Sequence, residues 1–136
     1  MKYKRYVFVM AALLLALCST LSAEETKTVV KIDQDGVQRV NIIGGSYFFK
    51  PNHIVVKVNI PVEVKVSKEG GIIPHDIVAK SPEAGIEFQE NLSTTPKIIK
   101  FTPTRVGSYP FYCSKKILFF ESHREKGMEG VIEVVP

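Results

Sequence analysis

The sequence predicts an all-β fold, an antiparallel Greek-key β-sandwich of about eight strands. Three observations indicate it. Short β-branched and apolar runs recur through residues 24–136, and Gly, Pro and Asp residues separate them. No window of about 11 or more residues in this region keeps the helical period. The length of 136 residues allows one such domain with one core and leaves little room for a second.

The predicted strands follow one another closely along the chain. They cover residues 28–32, 37–43, 48–50, 54–58, 62–66, 75–79, 97–101, 108–113 and 131–135. Asp35-Gly36 lies between the first two strands and is a hairpin signal. Residues 62–66 alternate apolar with charged side chains, as a half-buried strand does. The best candidates for short helices are residues 81–88 and 115–125.

The N-terminus has the pattern of a secretory signal peptide. Lys2, Lys4 and Arg5 precede an apolar run, residues 6–17, and small residues follow it. This run is shorter than the roughly 20 residues of a membrane-spanning helix, which makes an uncleaved anchor the weaker alternative. We therefore predict a signal peptide over residues 1–23, a mature domain over residues 24–136, and export, with the periplasm as the best-fitting compartment.

Removal of the signal changes the charge and the cysteine content. The chain has 18 Lys and Arg against 14 Asp and Glu, but three of the basic residues leave with the signal. The mature domain is then nearly neutral, which excludes a nucleic-acid-binding protein. Cys18 leaves too, so that Cys113 is the single mature cysteine and has no partner for an internal disulfide.

The residues with distinctive chemistry cluster around three predicted strands. Cys113 ends the aromatic strand 108–113, whereas His123 and Met128 lie in the loop before the last strand. His75 follows Pro74 and begins another strand. A thiolate, two imidazoles and a thioether form a soft donor set that suits copper, and thioethers are of little use to zinc or magnesium.

These motifs resemble the cupredoxin family, the plastocyanin- and azurin-like blue copper proteins. The resemblance covers most of the mature chain and rests on the segments 49–56, 61–64, 74–78, 101–103, 107–113 and 123–134. Its most specific part is Gly-x-Tyr-x-Phe-x-Cys ending at Cys113, combined with His-x4-Met-x-Gly beginning at His123. The resemblance implies one copper ion per chain, cycling between Cu(I) and Cu(II), held by His75, Cys113, His123 and Met128. Met128 would be the weak axial ligand.

Two features depart from the familiar pattern of that family. Asp76 stands where cupredoxins often have an Asn or another polar residue that ties the two ligand loops together, and an Asp there would lower the reduction potential. Nine residues, Ser114–Ser122, separate Cys113 from His123, where familiar members have only a few. A loop of this length still closes at small entropic cost, but it lacks the usual tight turn, and Glu121 becomes an alternative ligand to His123.

Within that loop, the segment Lys115–Phe120 has two lysines followed by four large apolar residues. One interpretation is a docking patch for a redox protein, a membrane surface or a membrane oxidoreductase. The other, which we favour slightly, is a short helix or flap that folds its apolar side onto the end of the sandwich and shields the metal.

The function that fits these observations best is an exported, monomeric one-electron carrier between redox proteins, not an enzyme. Electrons would pass through His123, as the ligand nearest the surface, while His53 would be an ordinary surface or strand histidine. The alternative is a periplasmic copper-handling carrier or sensor that uses the same site. A sandwich that has lost its metal is a third possibility, but the presence of all four ligand types disfavours it.

Overall fold

The structure is a computed structural model that describes residues 27–136. The predicted signal peptide, residues 1–23, lies outside the described residues. Ten strands make up nearly all of the regular structure: β1 (Lys27–Val29), β2 (Gln38–Gly45), β3 (Phe48–Lys50), β4 (His53–Lys57), β5 (Val62–Lys68), β6 (Asp76–Ser81), β7 (Ile86–Asn91), β8 (Lys97–Phe101), β9 (Gly107–Tyr112) and β10 (Glu129–Val135). Within residues 27–136, no helix is long and apolar enough to cross a membrane.

The strands form two sheets, and the predicted β-sandwich is confirmed. One sheet has six strands in the order β1-β4-β10-β9-β6-β7, and the other has four in the order β3-β2-β5-β8. Both sheets are mixed, since β4 pairs in parallel with β1 and β10, and β2 pairs in parallel with β5. The expectation of purely antiparallel sheets is therefore wrong for these three pairs. Alternation along a strand reports which face is buried and carries no information on the direction of the neighbouring strand.

One local prediction is confirmed and another differs from the structure. The turn at Gly36 forms, with φ +80°, and the chain on its two sides pairs through the antiparallel bridge Ile32↔Gln38 and through the hydrogen bond from the Asp33 amide to the Val37 carbonyl oxygen at 2.9 Å. This hairpin is short, because β1 and β2 on either side of it belong to different sheets. The segment predicted as a helix at 81–88 is one 3-10 turn, Pro82–Ala84, which Gly85 ends at φ +70° before β7 begins.

The core fills the space between the two sheets. In β5 the apolar residues Val62, Val64 and Val66 point inward and are each 1% exposed, while the charged residues between them point outward. Phe111 in β9 and Ile132 in β10 are buried from the opposite sheet. Burial of such side chains contributes roughly 1.5–3 kcal/mol each. This packing fixes β6, β9 and β10, the strands whose ends carry the residues discussed next.

Candidate metal centre

Three neighbouring strands bring the predicted ligands to one end of the sandwich. His75 directly precedes β6, Cys113 directly follows β9, and Met128 directly precedes β10. Because β10, β9 and β6 are adjacent in the six-stranded sheet, these three positions are close in space. The amide of Cys113 donates to the carbonyl oxygen of Met128 at 3.0 Å, which extends the β9–β10 ladder into the site.

Two imidazoles and the thiol converge on one point. His75 Nδ1 lies 3.1 Å from His123 Nδ1, and Cys113 Sγ lies 3.5 Å from His123 Nδ1 and 3.9 Å from His75 Nδ1. All three residues are buried and form the one group of three or more potential His, Cys, Asp or Glu ligands found within residues 27–136. His123 lies in this group, whereas Glu121 is exposed and lies outside it.

Met128 belongs to the same buried cluster. It is fully buried, and its amide donates to the carbonyl oxygen of His123 at 2.9 Å. Its methyl group packs close to the backbone of Gly44 at the end of β2, where a Cβ would lie 3.2 Å from Met128 Cε. The thioether is therefore held between the ligand loop and the second sheet.

The donor set and its spacing fit a copper ion. Metal bonds of about 2.0 Å to nitrogen and 2.3 Å to sulfur place neighbouring tetrahedral donors roughly 3.3–3.6 Å apart, and the three observed separations lie around these values. Two neutral imidazoles with facing Nδ1 atoms can share only one proton, so a bound cation would satisfy lone pairs that the protein leaves facing one another. Two imidazoles, a thiolate and a thioether form the set that selects copper.

Burial prepares the ligands electrostatically. Desolvation lowers the pKa of His75, assisted by the neighbouring His123 and by Lys68. Desolvation likewise lowers the pKa of His123, with a further contribution from Lys126. Both imidazoles are therefore neutral and able to bind a metal at neutral pH. Desolvation raises the pKa of Cys113, so the thiol holds its proton until a cation displaces it.

Asp76 ties the loop after Cys113 to β6, the role expected for this position. Its carboxylate is fully buried and accepts hydrogen bonds from the Ser114 amide at 2.7 Å and the Ser114 hydroxyl at 2.5 Å. Burial raises the pKa of Asp76, but the two Ser114 hydrogen bonds and nearby Lys115 outweigh it and the net shift is downward. A negative charge therefore lies beside the thiol loop.

The long segment between Cys113 and His123 folds as a hairpin that is closed at its base. The amide of His123 donates to the carbonyl oxygen of Lys115 at 2.9 Å, and Lys116 and Ser122 form an antiparallel bridge. We call residues 115–123 the ligand-loop hairpin. Because its base is closed, the tip of the hairpin projects outward and His123 returns to the side of Cys113 as it would from a short loop.

The tip of the ligand-loop hairpin is apolar and exposed. Leu118, Phe119 and Phe120 are 78%, 98% and 64% exposed, and Leu118 has a positive φ of 47° in the turn. The favoured expectation of a helix or flap folded onto the sandwich is wrong for these three side chains. A four-residue turn has too few positions to direct all of them inward.

Tyr47, which the sequence does not single out, covers the two imidazoles. Its ring meets the His123 ring edge-on at 5.0 Å and the His75 ring at 6.3 Å, and the Lys126 ammonium lies 4.4 Å from its centre. As a result His123 is 1% exposed and His75 is 5% exposed. His123 is therefore not the ligand nearest the surface, contrary to expectation. The Gly44-Gly45 pair before Tyr47 was the available signal of a close backbone approach.

His53, the third histidine of the sequence, lies outside the cluster, as predicted. It begins β4, and its Nε2 lies 2.7 Å from the Glu133 carboxylate, which also accepts from Lys27 at 2.9 Å. These contacts link β4 to β1 and β10, its two parallel neighbours.

Comparison with solved structures shows a cupredoxin fold. The chain is similar to the metal-binding domain of the Cu(I)-exporting P-type ATPase CopA of Streptococcus pneumoniae D39, solved with Cu(I), with a TM-score of 0.61 and 22% identity over 84% of this chain and 100% of that one. It is similar to auracyanin B, with a TM-score of 0.55 and 14% identity over 79% and 94% of the two chains. It is also similar to dithionite-reduced auracyanin from Roseiflexus castenholzii, with a TM-score of 0.51 and 20% identity over 72% and 97%. No protein-family model and no curated protein matches the sequence.

Proposed function

We propose that the protein is an exported, mononuclear copper-binding protein that carries single electrons between redox partners. The observation that carries this proposal is the convergence of His75 Nδ1, His123 Nδ1 and Cys113 Sγ in a buried cluster with Met128. Copper bound there would supply a one-electron Cu(I)/Cu(II) couple. The likeness to a reduced auracyanin supports the same assignment.

The chain itself would hold the ligands in nearly one arrangement in both oxidation states. Cys113 and Met128 are fixed by their backbone hydrogen bond at the β9–β10 end, and the Asp76–Ser114 contacts fix the thiol loop. Tyr47 covers the two imidazole rings, which are buried from water. A rigid, dry site needs little rearrangement when its charge changes, which favours a carrier over a catalyst.

A copper-handling carrier or sensor is the second candidate, and one comparison favours it. The similar domain of the pneumococcal exporter was solved with Cu(I). In this alternative the same four residues would bind copper reversibly and pass it to a partner. In both cases we expect a monomer, and the contact of the Lys115–Phe120 segment with a redox partner or a membrane surface stays a prediction.

The test is the visible and electron paramagnetic resonance spectra of the mature protein loaded with Cu(II). We expect intense thiolate-to-copper absorption and narrow hyperfine splitting, with the absorption lost in Cys113→Ala and altered in His123→Ala. The matched control is His53→Ala, which removes the histidine outside the cluster and should leave the spectrum unchanged. A pale spectrum with wide splitting would favour copper handling, and failure to bind stoichiometric copper would contradict both functions.

A further inference from the structure

Tyr47 occupies a turn position at which most side chains are strained. Strand β2 ends at Gly45 and β3 begins at Phe48, and because these two residues pair with each other, Ser46 and Tyr47 form a two-residue turn. Tyr47 has a φ of 66°, in the left-handed region. Glycine and asparagine are the usual residues at such a position, since a larger side chain is strained there. Residues held in this conformation cluster at functional sites, so we expect the Tyr47 ring to have a role beyond the turn.

The Tyr47 ring covers both imidazoles from the solvent side. It is half-buried, whereas His123 and His75 are buried, and the centre of its ring lies 5.0 Å from that of His123 and 6.3 Å from that of His75. The Lys126 ammonium lies 4.4 Å from the centre of the same ring. A cation that reaches the imidazoles from this side therefore has to pass the ring and a positive charge beside it.

A cavity of about 240 Å³ next to Tyr47 gives the ring space to move. The residues that line it are Tyr47, Ile117, Phe120, Glu121, His123 and Lys126. Because Tyr47 and His123 line the same cavity, rotation of the tyrosine side chain into it would change the access of small solutes to the imidazole. Rotation of a side chain at the surface takes picoseconds to nanoseconds, so such an opening does not require any strand to move.

We propose that Tyr47 is a gating residue of the metal centre: its ring closes the approach to His75 and His123, and thereby sets how fast copper enters and leaves without changing how tightly it binds. Tyr47 is not one of the four predicted ligands, so its removal leaves the bound state intact. The ring slows association and dissociation equally, and their ratio, the affinity, stays the same. The inference deepens the proposed function, on which it rests, because an ion that leaves slowly suits an electron carrier better than a protein that passes copper on.

The experiment compares Tyr47→Gly and Tyr47→Phe with the parent protein. Each protein is loaded with Cu(I), and the transfer of copper to an excess of bathocuproine disulfonate is followed by absorbance. Equilibrium competition with the same chelator measures the affinity. We expect Tyr47→Gly to release copper about tenfold faster, with an affinity within about threefold of that of the parent protein. Tyr47→Phe keeps the ring and should release copper at the parent rate.

Asn59→Gly is the matched control for the backbone. Asn59 also has a positive φ, of 60°, and lies between β4 and β5 at the end of the sandwich away from the metal centre. Glycine accepts the left-handed conformation at both positions, so both glycine variants should fold, which their amide spectra will check. Asn59→Gly should leave the release rate of copper unchanged.

A second readout needs no metal. Diethyl pyrocarbonate modifies accessible imidazoles, and mass spectrometry of peptides measures the rate for each histidine. In metal-free Tyr47→Gly, His75 and His123 should be modified about tenfold faster than in the metal-free parent protein. The modification rate of His53, which lies outside the cluster, should not change, and Tyr47→Phe should match the parent protein.

Three outcomes would overturn the inference: unchanged rates of release and modification in Tyr47→Gly, a loss of affinity as large as the gain in release rate, or an equal effect of Tyr47→Phe. The second would mean that the ring positions the ligands instead of gating them.

Failure of the inference is distinguishable from failure of the proposed function. Stoichiometric copper binding with unchanged rates would remove the gate and leave the copper site. A protein that takes up no copper would contradict the proposed function, and the modification rates of the metal-free variants would then decide whether the ring closes the site.

Discussion

Polar groups lie at both ends of strand β2, but those at its start are exposed to water and those near its end are buried. At its start, Arg39 contacts Asp33 at 2.8 Å, Asp35 at 2.7 Å and Glu63 at 3.1 Å, and all of these side chains are partly or largely exposed to water. Arg39 has three carboxylate partners there, Glu63 also pairs with Lys100, and water reaches all of them. Exposed networks of this kind contribute little to stability and lose that little in salt.

At its other end, β2 leads into the cluster of His75, Cys113 and His123, where three donor atoms are buried against one another. Fewer polar groups are present than around Arg39, but they are removed from water and incompletely paired. The comparison teaches that the functional end is marked by the burial of donors that have no counter-group. The number of ionisable residues would have pointed to the wrong end.

The largest expected effect is on copper affinity, which should depend on residues at one end of β2 and not on residues at the other. Asp76→Ala removes the acceptor for both Ser114 donors and should weaken copper binding by about 10–100-fold, as is typical when a residue that orients a ligand is lost. Asp76→Asn keeps an acceptor for Ser114 and should lose less copper affinity than Asp76→Ala. Asp35→Ala at the other end should have no effect, and a competition titration with a Cu(I) chelator measures all three. Equal affinities for Asp76→Ala and the parent protein would show that the tie does not orient Cys113.

In the metal-free protein, the two ends of β2 should also lose their contributions to stability at different pH values. The pKa values of His75 and His123 are lowered below 6.5 by burial, so the unfolded chain binds protons that the folded chain does not. Stability should therefore fall as pH drops below the ordinary imidazole value of 6.5, by up to about tenfold in the unfolding equilibrium constant per pH unit for each imidazole.

The hydrogen bond from Arg39 lowers the pKa of Asp35 from 3.8 to about 2. The stability that the Asp35–Arg39 pair contributes is fully present above pH 3.8 and is lost only as the pH falls from there towards about 2. Urea denaturation between neutral pH and about pH 2 measures both losses of stability. The variant His75→Gln should reduce the slope of stability against pH in the imidazole range. A slope that His75→Gln leaves unchanged would assign the protons to other groups.

A pair of glycine variants sharpens the comparison further. Gly44→Ala places a Cβ 2.7 Å from Leu92 Cδ1 and 3.2 Å from Met128 Cε, two flexible ends that can shift. It should cost less than about 1.5 kcal/mol of stability but change the spectrum of the copper form through Met128. Gly36→Ala has open space around its Cβ but φ +80°, so it should cost about 1 kcal/mol and leave the copper spectrum unaltered. The reverse pattern of spectral change would contradict the placement of Met128.

The smallest effect on stability is expected at the tip of the ligand-loop hairpin. Phe119→Ser replaces a side chain that is 98% exposed and should change the free energy of unfolding by less than about 0.5 kcal/mol. If the tip contacts lipid, the same variant should reduce co-sedimentation with phosphatidylglycerol vesicles several-fold. A destabilisation above about 1 kcal/mol would mean that the hairpin packs onto the sandwich in solution.

Much of the fold and of the candidate site could be predicted from sequence because both depend on local signals. Alternation in residues 62–66 identifies a buried face, and the positions of Cys113 and Met128 at strand ends bring them together wherever those strands are neighbours. The parallel pairings could not be predicted, since they depend on how the chain crosses between sheets. The strand β7 was missed because Ile86, its first residue, comes directly after the turn Pro82–Ala84 and Gly85, and a turn that begins with Pro resembles a helix start.

The surroundings of the ligands were less predictable than the ligands themselves. Tyr47 lies far from every ligand in sequence and reaches the imidazoles only through the packing of β2 and β3. The exposure of Phe119 follows from the closed base of its hairpin, which depends on backbone hydrogen bonds that no residue pattern specifies. Contacts between distant segments decide these features.

Because the base of the ligand-loop hairpin is closed, the geometry of the ligands does not depend on the sequence of the hairpin tip. The hydrogen bond from His123 to Lys115 and the bridge between Lys116 and Ser122 set the geometry at the ligands, and the residues beyond them are under no such constraint. Insertions, deletions and substitutions in the tip can accumulate in evolution while the donors stay in place. The same arrangement makes the tip a grafting position, where a foreign recognition peptide could be presented beside an intact metal centre.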